Sequence, residues 1–415
     1  MGDQNDFKHN HYVPEWYQKR FIPTGYPESE IQYLDLKPPQ FLDPMGVLRT
    51  HTALRRRPVS KTFAQDDLYT TTFGSVESRE IERIFFGRVD SNGIPALDYF
   101  AGYDHTAIDY DAFHNMILYM STQKLRTPKG LAWLAQQINV SDTNEVLRSM
   151  VELQQLYGAI WTESVWQIAN ATSSTTKFII SDHPVTVYNR ECGPRNKKWC
   201  RFPNDPPIHL HGTHTIFPLS YDKVLILTNQ SWARNPYQSA VKSRPNPRYL
   251  RDAMFNYQTI QVQRNLSEQE VRQINFIIKS RANRFVGAAN KDWLYPEQHI
   301  YKSDWNIYGD GYLLMPDPRS VHYGGETFIG WEDGTSTAFD TYGRRPWEPE
   351  FSMNSGPETG GRYDPLERFK SEFARRYGPY RRGRASFAGD LEQEKDGDEY
   401  HKSLTSPDNP NFRKL

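Results

Sequence analysis

The sequence predicts an α+β fold in which a helical N-terminal half packs on a small, mainly antiparallel sheet. Helical spacing of apolar residues dominates the first part of the chain, most clearly at Tyr110–Lys124. Between Phe178 and Arg264 the apolar runs are short or alternating, and loops rather than crossover helices join them. Beyond about residue 300 Gly, Pro, Asp and Arg dominate, which predicts a disordered C-terminal tail.

The segments before residue 100 predict a strand, a loop and a helix. Ile31–Leu36 alternates and predicts a strand, whereas Pro38–Pro58 is loop-like and carries Arg55-Arg56-Arg57. These arginines are expected either to be solvated or to contact a phosphate or an acidic partner. Val76–Gly87 predicts a helix with Glu77 on its apolar face. A carboxylate there is either ion-paired or functional, because isolated buried charge is costly.

Polar groups follow the apolar face of the helix Tyr110–Lys124. Gln123 and Arg126 continue that face, and Thr127-Pro128 is typical of a helix start, so one helix should end near Leu125 and another begin at Pro128. Arg126 would then point inward at the break between the two helices. Its guanidinium could clamp a carboxylate or phosphate, or it could tie the break to a neighbouring loop.

The central strand of the predicted sheet ends in a polar cluster. Phe178-Ile179-Ile180 predicts a strand buried on both faces, and it leads into Ser181-Asp182-His183-Pro184, where Pro stops regular pairing. Before it, Asn144–Ala171 predicts a long amphipathic helix with a core-forming aromatic stripe. The later elements are predicted strands at Thr215–Leu219, Lys223–Thr228 and Tyr257–Arg264, and a helix opened by a capping box at Ser267–Glu270.

The totals exclude several protein classes. Lys+Arg and Asp+Glu both number 50 among 415 residues, so contact with nucleic acid or an anionic membrane would need a local patch. Only two cysteines, Cys192 and Cys200, are present, which excludes a disulfide-dense scaffold. No apolar run has the length of a signal peptide or membrane helix. We therefore predict a soluble, cytoplasmic protein with no membrane partner.

Composition divides the chain into four predicted segments. They are a disordered start at 1–8, an α+β domain at 9–298, a partly ordered extension at 299–349 and a disordered tail at 350–415. Within the tail, the stretch 375–384 alternates basic and aromatic residues. Such a stretch either binds single-stranded nucleic acid or keeps a tail soluble.

Four ordered landmarks carry a family resemblance. They are Asn10-His11-Tyr12-Val13-Pro14, Gln123 with Arg126-Thr127-Pro128, Ser181-Asp182-His183-Pro184-Val185, and Phe217-Pro218-Leu219-Ser220. In this order and spacing they resemble the DUF4238 family over roughly residues 9–295. The resemblance implies a fold boundary and a set of landmark positions, but no reaction. The landmark side chains are His11, Gln123, Arg126 and Asp182, and Glu77 falls where an acidic residue commonly stands. The Pro-rich insert at 189–215 lies outside the pattern.

The first functional hypothesis is a phosphodiester-cleaving, nuclease-like hydrolase. His11, Asp182 and Glu77 would be catalytic, with His and Asp exchanging protons, while Gln123 and Arg126 would bind the anion. The hypothesis needs these side chains to meet in one cleft. A divalent metal is an open cofactor, with Asp182 and Glu77 as its oxygen donors.

Two other readings of these residues stay open. One is a non-catalytic nucleotide- or anion-binding or regulatory module, and the other is that His11 and Asp182 are buried residues that fix the N-terminal segment to the sheet. Nucleic acid and anionic ligands are the partners considered. A zinc site is a further alternative, with candidate ligands Cys192, Cys200, His209, His211 and His214. The signatures of NTPases, dinucleotide-binding dehydrogenases, zincins and α/β-hydrolases are absent from the sequence.

Overall fold

A computed structural model gives the fold. It describes residues 9–104, 107–194, 196–238, 247, 249–250, 253, 255–300, 305, 313–321, 327–330, 334–339, 344–349, 351, 364–378, 382–385, 399, 402–403, 406 and 408. The predicted disordered start at 1–8 lies outside these residues, as does most of the predicted tail.

Helices and strands alternate along the described chain. The α-helices are α1 Glu15–Lys19, α2 Gly87–Ala101, α3 Tyr110–Leu125, α4 Pro128–Ile138, α5 Thr143–Glu152, α6 Gly158–Thr162, α7 Lys197–Cys200, α8 Gln230–Arg234, α9 Glu268–Arg281 and α10 Asp364–Tyr377. A π-helical turn, Ile81–Phe86, precedes α2, and short 3-10 helices lie at Val59–Lys61, Tyr257–Thr259, Lys291–Leu294, Pro296–Gln298 and Pro318–Ser320. The strands are β1 His9–His11, β2 Glu30–Asp35, β3 Gln40–Leu42, β4 Leu48–Thr50, β5 Leu54–Pro58, β6 Ala64–Asp66, β7 Thr71–Phe73, β8 Val76–Ser78, β9 Val165–Asn170, β10 Ile180–Ser181, β11 Thr186–Asn189, β12 Thr213–Pro218, β13 Lys223–Thr228, β14 Gln261–Asn265, β15 Phe285–Ala288, β16 Thr327–Gly330 and β17 Ser336–Phe339.

Two main sheets share one hydrophobic core. The larger sheet has the strand order β11-β12-β13-β9-β14, antiparallel throughout except for the parallel pair β9 and β14. The smaller sheet has the order β10-β15-β2-β5 and is antiparallel. The core joins both sheets to the helices that precede them. The predicted α+β class with mainly antiparallel sheets is confirmed.

Helix α3 runs through the interior. Its last five residues, Ser121–Leu125, are all buried, although four of them are polar. The helix ends at Leu125, and Thr127 caps α4 by accepting a hydrogen bond from the backbone N–H of Gly130. The predicted junction is therefore confirmed, as is the capping box formed by Ser267 and Glu270 on α9.

Five predicted elements differ from the structure. The predicted central strand Phe178–Ile180 provides only Ile180 to β10, a two-residue strand at the edge of the smaller sheet, and Tyr257–Arg264 begins as a 3-10 helix before β14. Val76–Gly87 begins as strand β8 and becomes helical only at Ile81, so Glu77 stands on a strand. Asn144–Ala171 contains α5 and α6 and then β9, because its β-branched and aromatic end forms an inner strand. Pro38–Pro58 forms strands β3, β4 and β5 rather than a loop.

The described part of the C-terminal tail contains the helix α10. Phe369 and Phe373 are one turn apart on this helix and fully buried, and they pack with Trp232 and Met315. Disorder was predicted for this stretch from the composition of 350–415 as a whole. That average hides the apolar stripe of a single amphipathic helix.

None of the helices in the described residues is long and apolar enough to cross a membrane.

Candidate functional site

A pocket of about 430 Å³ opens beside the junction of α3 and α4. Lys124 comes from the end of α3 and Lys129 from the start of α4, so the predicted helix break places two lysines at one site. His183 and Asp205 lie beside the two lysines, and the other polar lining residues are Gln137, Lys198, Asn204 and His209. The main aromatic lining residues are Trp133, Tyr157 and Trp199.

Two lysines share one carboxylate in this pocket. Lys129 Nζ donates to Asp205 Oδ1 at 2.6 Å, and Lys124 Nζ donates to Asp205 Oδ2 at 3.1 Å. The side chain of Asp205 is 11% exposed. Burial would raise the pKa of Asp205, but Lys129 and Lys124 hold this pKa well below its usual value. Asp205 is therefore an anion at neutral pH.

His183 joins the lysine–aspartate cluster as a neutral imidazole. Its Nε2 lies 3.2 Å from Lys124 Nζ and 3.1 Å from Asp205 Oδ2, and its Nδ1 lies 2.7 Å from Thr127 Oγ1. Burial and then Lys124 lower the pKa of His183 to about 3. Nε2 faces both a donor, Lys124 Nζ, and an acceptor, Asp205 Oδ2, so either tautomer of the neutral imidazole makes a hydrogen bond at this nitrogen.

At Gly130, which lines the pocket, the backbone of α4 passes close to the backbone at the end of α3. A Cβ atom at Gly130 would lie 2.1 Å from the carbonyl oxygen of Lys124 and 2.5 Å from that of Leu125. Only glycine lets the first turn of α4 pass so near the end of α3. Gly130 thus sets the separation between Lys124 and Lys129.

Asp182, the predicted catalytic carboxylate, is occupied by backbone groups. Its oxygens accept hydrogen bonds from the N–H groups of Asn283, Arg284 and Phe285 at 2.7–2.9 Å. Burial raises the pKa of Asp182, and the three N–H groups oppose that shift. Asp182 thus fastens β10 to the start of β15, whereas the structural alternative had expected it to hold the N-terminal segment.

Gln123 and Arg126, the predicted anion-binding pair, bind each other. Arg126 Nε donates to Gln123 Oε1 at 2.8 Å, and Arg126 Nη1 donates to Asp90 Oδ2 at 3.1 Å. Gln123 Nε2 donates to the carbonyl oxygen of Tyr12 at 2.8 Å. Arg126 is 1% exposed. The guanidinium of Arg126 therefore already binds a carboxylate of its own chain, that of Asp90. This contact agrees with the alternative in which Arg126 ties the junction between the two helices to a neighbouring segment.

His11 and Glu77 lie in other surroundings. His11 Nε2 is 3.7 Å from Glu15 Oε1, and burial lowers the pKa of His11. The side chain of Glu77 is 58% exposed and lies 3.2 Å from Arg79 Nη2. Among the described residues no hydrogen bond joins the side chains of His11, Asp182 and Arg126. The expected single cleft is therefore not formed by these contacts.

Another carboxylate of this segment, that of Glu82, is half-buried. Burial raises the pKa of Glu82 to about 7, while Arg126 opposes the shift and Asp90 adds to it. Glu82 belongs to the π-helical turn. The sequence-based prediction named Glu77 and did not identify Glu82.

Of the four residues in the lysine–aspartate–histidine cluster, the sequence-based prediction missed Lys124, Lys129 and Asp205 and assigned no role to His183. His209, which also lines the pocket, was considered only as a zinc ligand. Lys124 carried a signal, because it continues the apolar helical positions Phe113, Ile117 and Met120, and a cation on a buried stripe needs a partner. His183 lay inside the stretch already marked as polar. Asp205 gave no signal, since it lies in the Pro-rich insert.

The candidate zinc ligands do not converge. His214 contacts Thr228 Oγ1 at 3.0 Å, His211 packs on the ring of Trp232, and Cys200 Sγ accepts from Arg281 at 2.7 Å. In the described part of the chain, no group of three or more His, Cys, Asp or Glu residues could hold a metal ion.

The fold and this pocket define an α+β protein with a buried, lysine-lined cavity. The family model described as "Protein of unknown function (DUF4238)" matches residues 9–292, and the chain belongs to this family. No curated protein and no solved structure matches the chain.

Proposed function

We propose that the pocket binds a small organic anion with a planar ring, such as a nucleotide. The observation that carries this proposal is the pair of buried lysines, Lys124 and Lys129, held beside aromatic side chains in a cavity of about 430 Å³. Cavities of about 300–1,000 Å³ with apolar walls and a few convergent polar groups are the usual sites for small ligands. The function is thus the binding module predicted as the alternative.

The charges favour an anionic ligand. Lys124, Lys129 and Lys198 line the pocket, against the single carboxylate of Asp205. Lys129 has three N–H donors, of which Asp205 and the carbonyl oxygen of Arg281 take two. The third is available for a ligand oxygen.

The aromatic lining supports a ligand with a planar ring. Trp133 and Tyr157 pack with ring centroids 6.1 Å apart, and Trp199 is carried by α7. Aromatic faces bind planar ligands by stacking and exclude water from the polar contacts beside them. A phosphate near Lys129 and a base near these rings would use both features.

Phosphodiester cleavage has less support as a proposal. Its acid–base pair was His11 and Asp182, but Asp182 already accepts three backbone hydrogen bonds. Of the two histidines that line the pocket, His183 has both ring nitrogens engaged, so the exposed His209 would have to serve as the base. A general base needs a nitrogen that is free to take the proton of its substrate.

Ligand titration tests the proposal. We expect nucleoside monophosphates to raise the melting temperature of the wild type, and Lys129→Met to abolish this effect because it removes the available donor. Lys61→Met, which changes an exposed lysine outside the pocket lining, should respond like the wild type. Equal responses of the wild type and Lys129→Met would refute the assignment, and conversion of a bound phosphodiester would favour the hydrolase instead.

A further inference from the structure

The β3–β4 hairpin presents apolar side chains to solvent. Leu42, Met45, Val47 and Leu48 are exposed by 68%, 81%, 50% and 60%, respectively. From residue 39 to residue 52 every residue except Asp43 is exposed. The hairpin buries nothing in the domain, so packing does not account for its composition. Exposed apolar clusters of this kind mark interaction surfaces.

The tip of the hairpin has a defined shape. Asp43 Oδ1 accepts hydrogen bonds from the backbone N–H groups of Met45 and Val47, both at 2.9 Å. Gly46 has φ +73°, a conformation that favours glycine, and its N–H donates to the carbonyl oxygen of Asp43 at 2.9 Å. These bonds hold Met45 at the outermost position of the turn.

The base of the hairpin is basic. The hairpin continues the β2–β5 ribbon, since Asp35 N–H donates to the carbonyl oxygen of Ala53 at 2.9 Å. Residues 37–57 contain five basic side chains and one acidic side chain, a net charge of +4 in a chain whose net charge is zero. Arg49 is paired with Asp43, and Arg56 is paired with Glu30 of the neighbouring strand β2. Among the described residues, no carboxylate lies within ion-pair distance of Lys37 or Arg55.

We propose that the β3–β4 hairpin anchors the protein peripherally to an anionic lipid surface. The apolar tip would enter the interfacial layer while Lys37 and Arg55 meet lipid phosphates. The convex tip fits a deformable lipid interface without a shaped groove. The prediction of no membrane partner was based on the overall charge balance and on the lack of a membrane-spanning segment. Neither observation tests for a local basic and apolar patch on the surface.

Vesicle co-sedimentation of the full chain tests this proposal. We expect binding to vesicles of phosphatidylcholine and phosphatidylserine in a ratio of about two to one, weaker binding at high salt, and little binding to phosphatidylcholine alone. Met45→Asp should lower the affinity by about tenfold or more, because it places a charge at the inserted tip. Ile108→Asp, at a site that is 45% exposed elsewhere on the surface, should bind like the wild type.

A second variant separates the charge from the apolar tip. Arg55→Gln should weaken binding to the phosphatidylserine vesicles and reduce its dependence on salt. The proposal is overturned if the wild type sediments with neither vesicle, or if Met45→Asp binds as tightly as the wild type. It is also overturned if the wild type ignores vesicles but self-associates through the hairpin, shown by a dimer in sedimentation velocity that Met45→Asp abolishes.

Discussion

Lys124 can be 6% exposed because its ammonium group has polar partners inside the fold. It donates to Asp205 Oδ2 and to the carbonyl oxygen of Val185 at 3.1 and 3.3 Å, and its Nζ lies 3.2 Å from His183 Nε2. Even so, burial lowers the pKa of Lys124, and nearby Lys129 also lowers it, although Asp205 opposes both. A buried cation is tolerated only when it is paired and hydrogen-bonded. Asp205 therefore decides whether both lysines can remain in the pocket.

Removal of the Asp205 charge should make the protein dependent on added anions. Asp205→Asn leaves two buried ammonium groups without a counter-ion, which we expect to cost about 3–5 kcal/mol of unfolding free energy. Inorganic phosphate should restore much of this stability by binding in the pocket beside the two ammonium groups. Urea denaturation with and without phosphate measures both effects.

Asp292→Asn is the control, since Asp292 is exposed and does not line the pocket. If Asp205→Asn is as stable as this control and equally indifferent to phosphate, the lysine pair does not form an anion site.

At the scale of elements, the α3–α4 junction is a short connection between two helices that must nearly touch. Thr127 caps α4, and its hydroxyl also contacts His183, so one side chain serves both the helix start and the pocket. Gly130 permits the contact of the two backbones. The positions of the lysines therefore depend on a steric condition as well as on charge.

Gly130→Ala should distort this junction. The added methyl group would meet the backbone oxygens of Lys124 and Leu125, which cannot rotate away, so we expect a loss of about 1–3 kcal/mol in unfolding free energy. Ligand binding at the pocket should weaken together with stability. Thermal denaturation and ligand titration measure the two effects.

Gly87→Ala is the matched control in a helix. Its Cβ would have 4.0 Å to its nearest neighbour, and alanine is favoured over glycine by up to about 1 kcal/mol within helices. Loss of stability in Gly87→Ala of the size expected for Gly130→Ala would show that the effect is not specific to the junction.

At the scale of the whole molecule, two buried histidines couple folding to pH. Burial lowers the pKa of both His183 and His214 to about 3. Between pH 6.5 and about 3 the unfolded chain therefore binds more protons than the folded chain. The stability that each neutral imidazole provides is complete above pH 6.5 and is lost as the pH falls toward 3. Glu82 acts oppositely, because its raised pKa, about 7, weakens the fold as the pH rises from 4.5 to 7.

The free energy of unfolding should consequently fall as the pH is lowered below 6.5. Each histidine should add up to about 1.4 kcal/mol per pH unit to the slope of this free energy against pH. His214→Gln should lose one such contribution between pH 6.5 and 4. Above pH 7 the stability curves of the variant and the wild type should run parallel, which serves as an internal control. Equal slopes below pH 6.5, measured by urea denaturation, would contradict the role given to His214.

Local rules made some predictions reliable. Thr127 and Ser267 were identified as helix caps because a cap depends on residues only two or three positions away. The segment Lys223–Thr228 was identified as a strand from its apolar run. Val165–Asn170 was misassigned because its apolar residues fit a helix as well as a strand, and only pairing with β13 and β14 makes it a strand.

By itself the sequence determined the α+β class, the α3–α4 junction and the family resemblance. Periodicity, helix caps and short motifs each depend on residues that are close together in the sequence. Tertiary structure alone decided which polar groups meet. Lys124 and Asp205 are 81 positions apart, and the path of the Pro-rich insert brings them together. Conversely, Asp182 and Arg126 have partners within the fold, since a buried charge takes the nearest hydrogen-bonding groups that packing supplies.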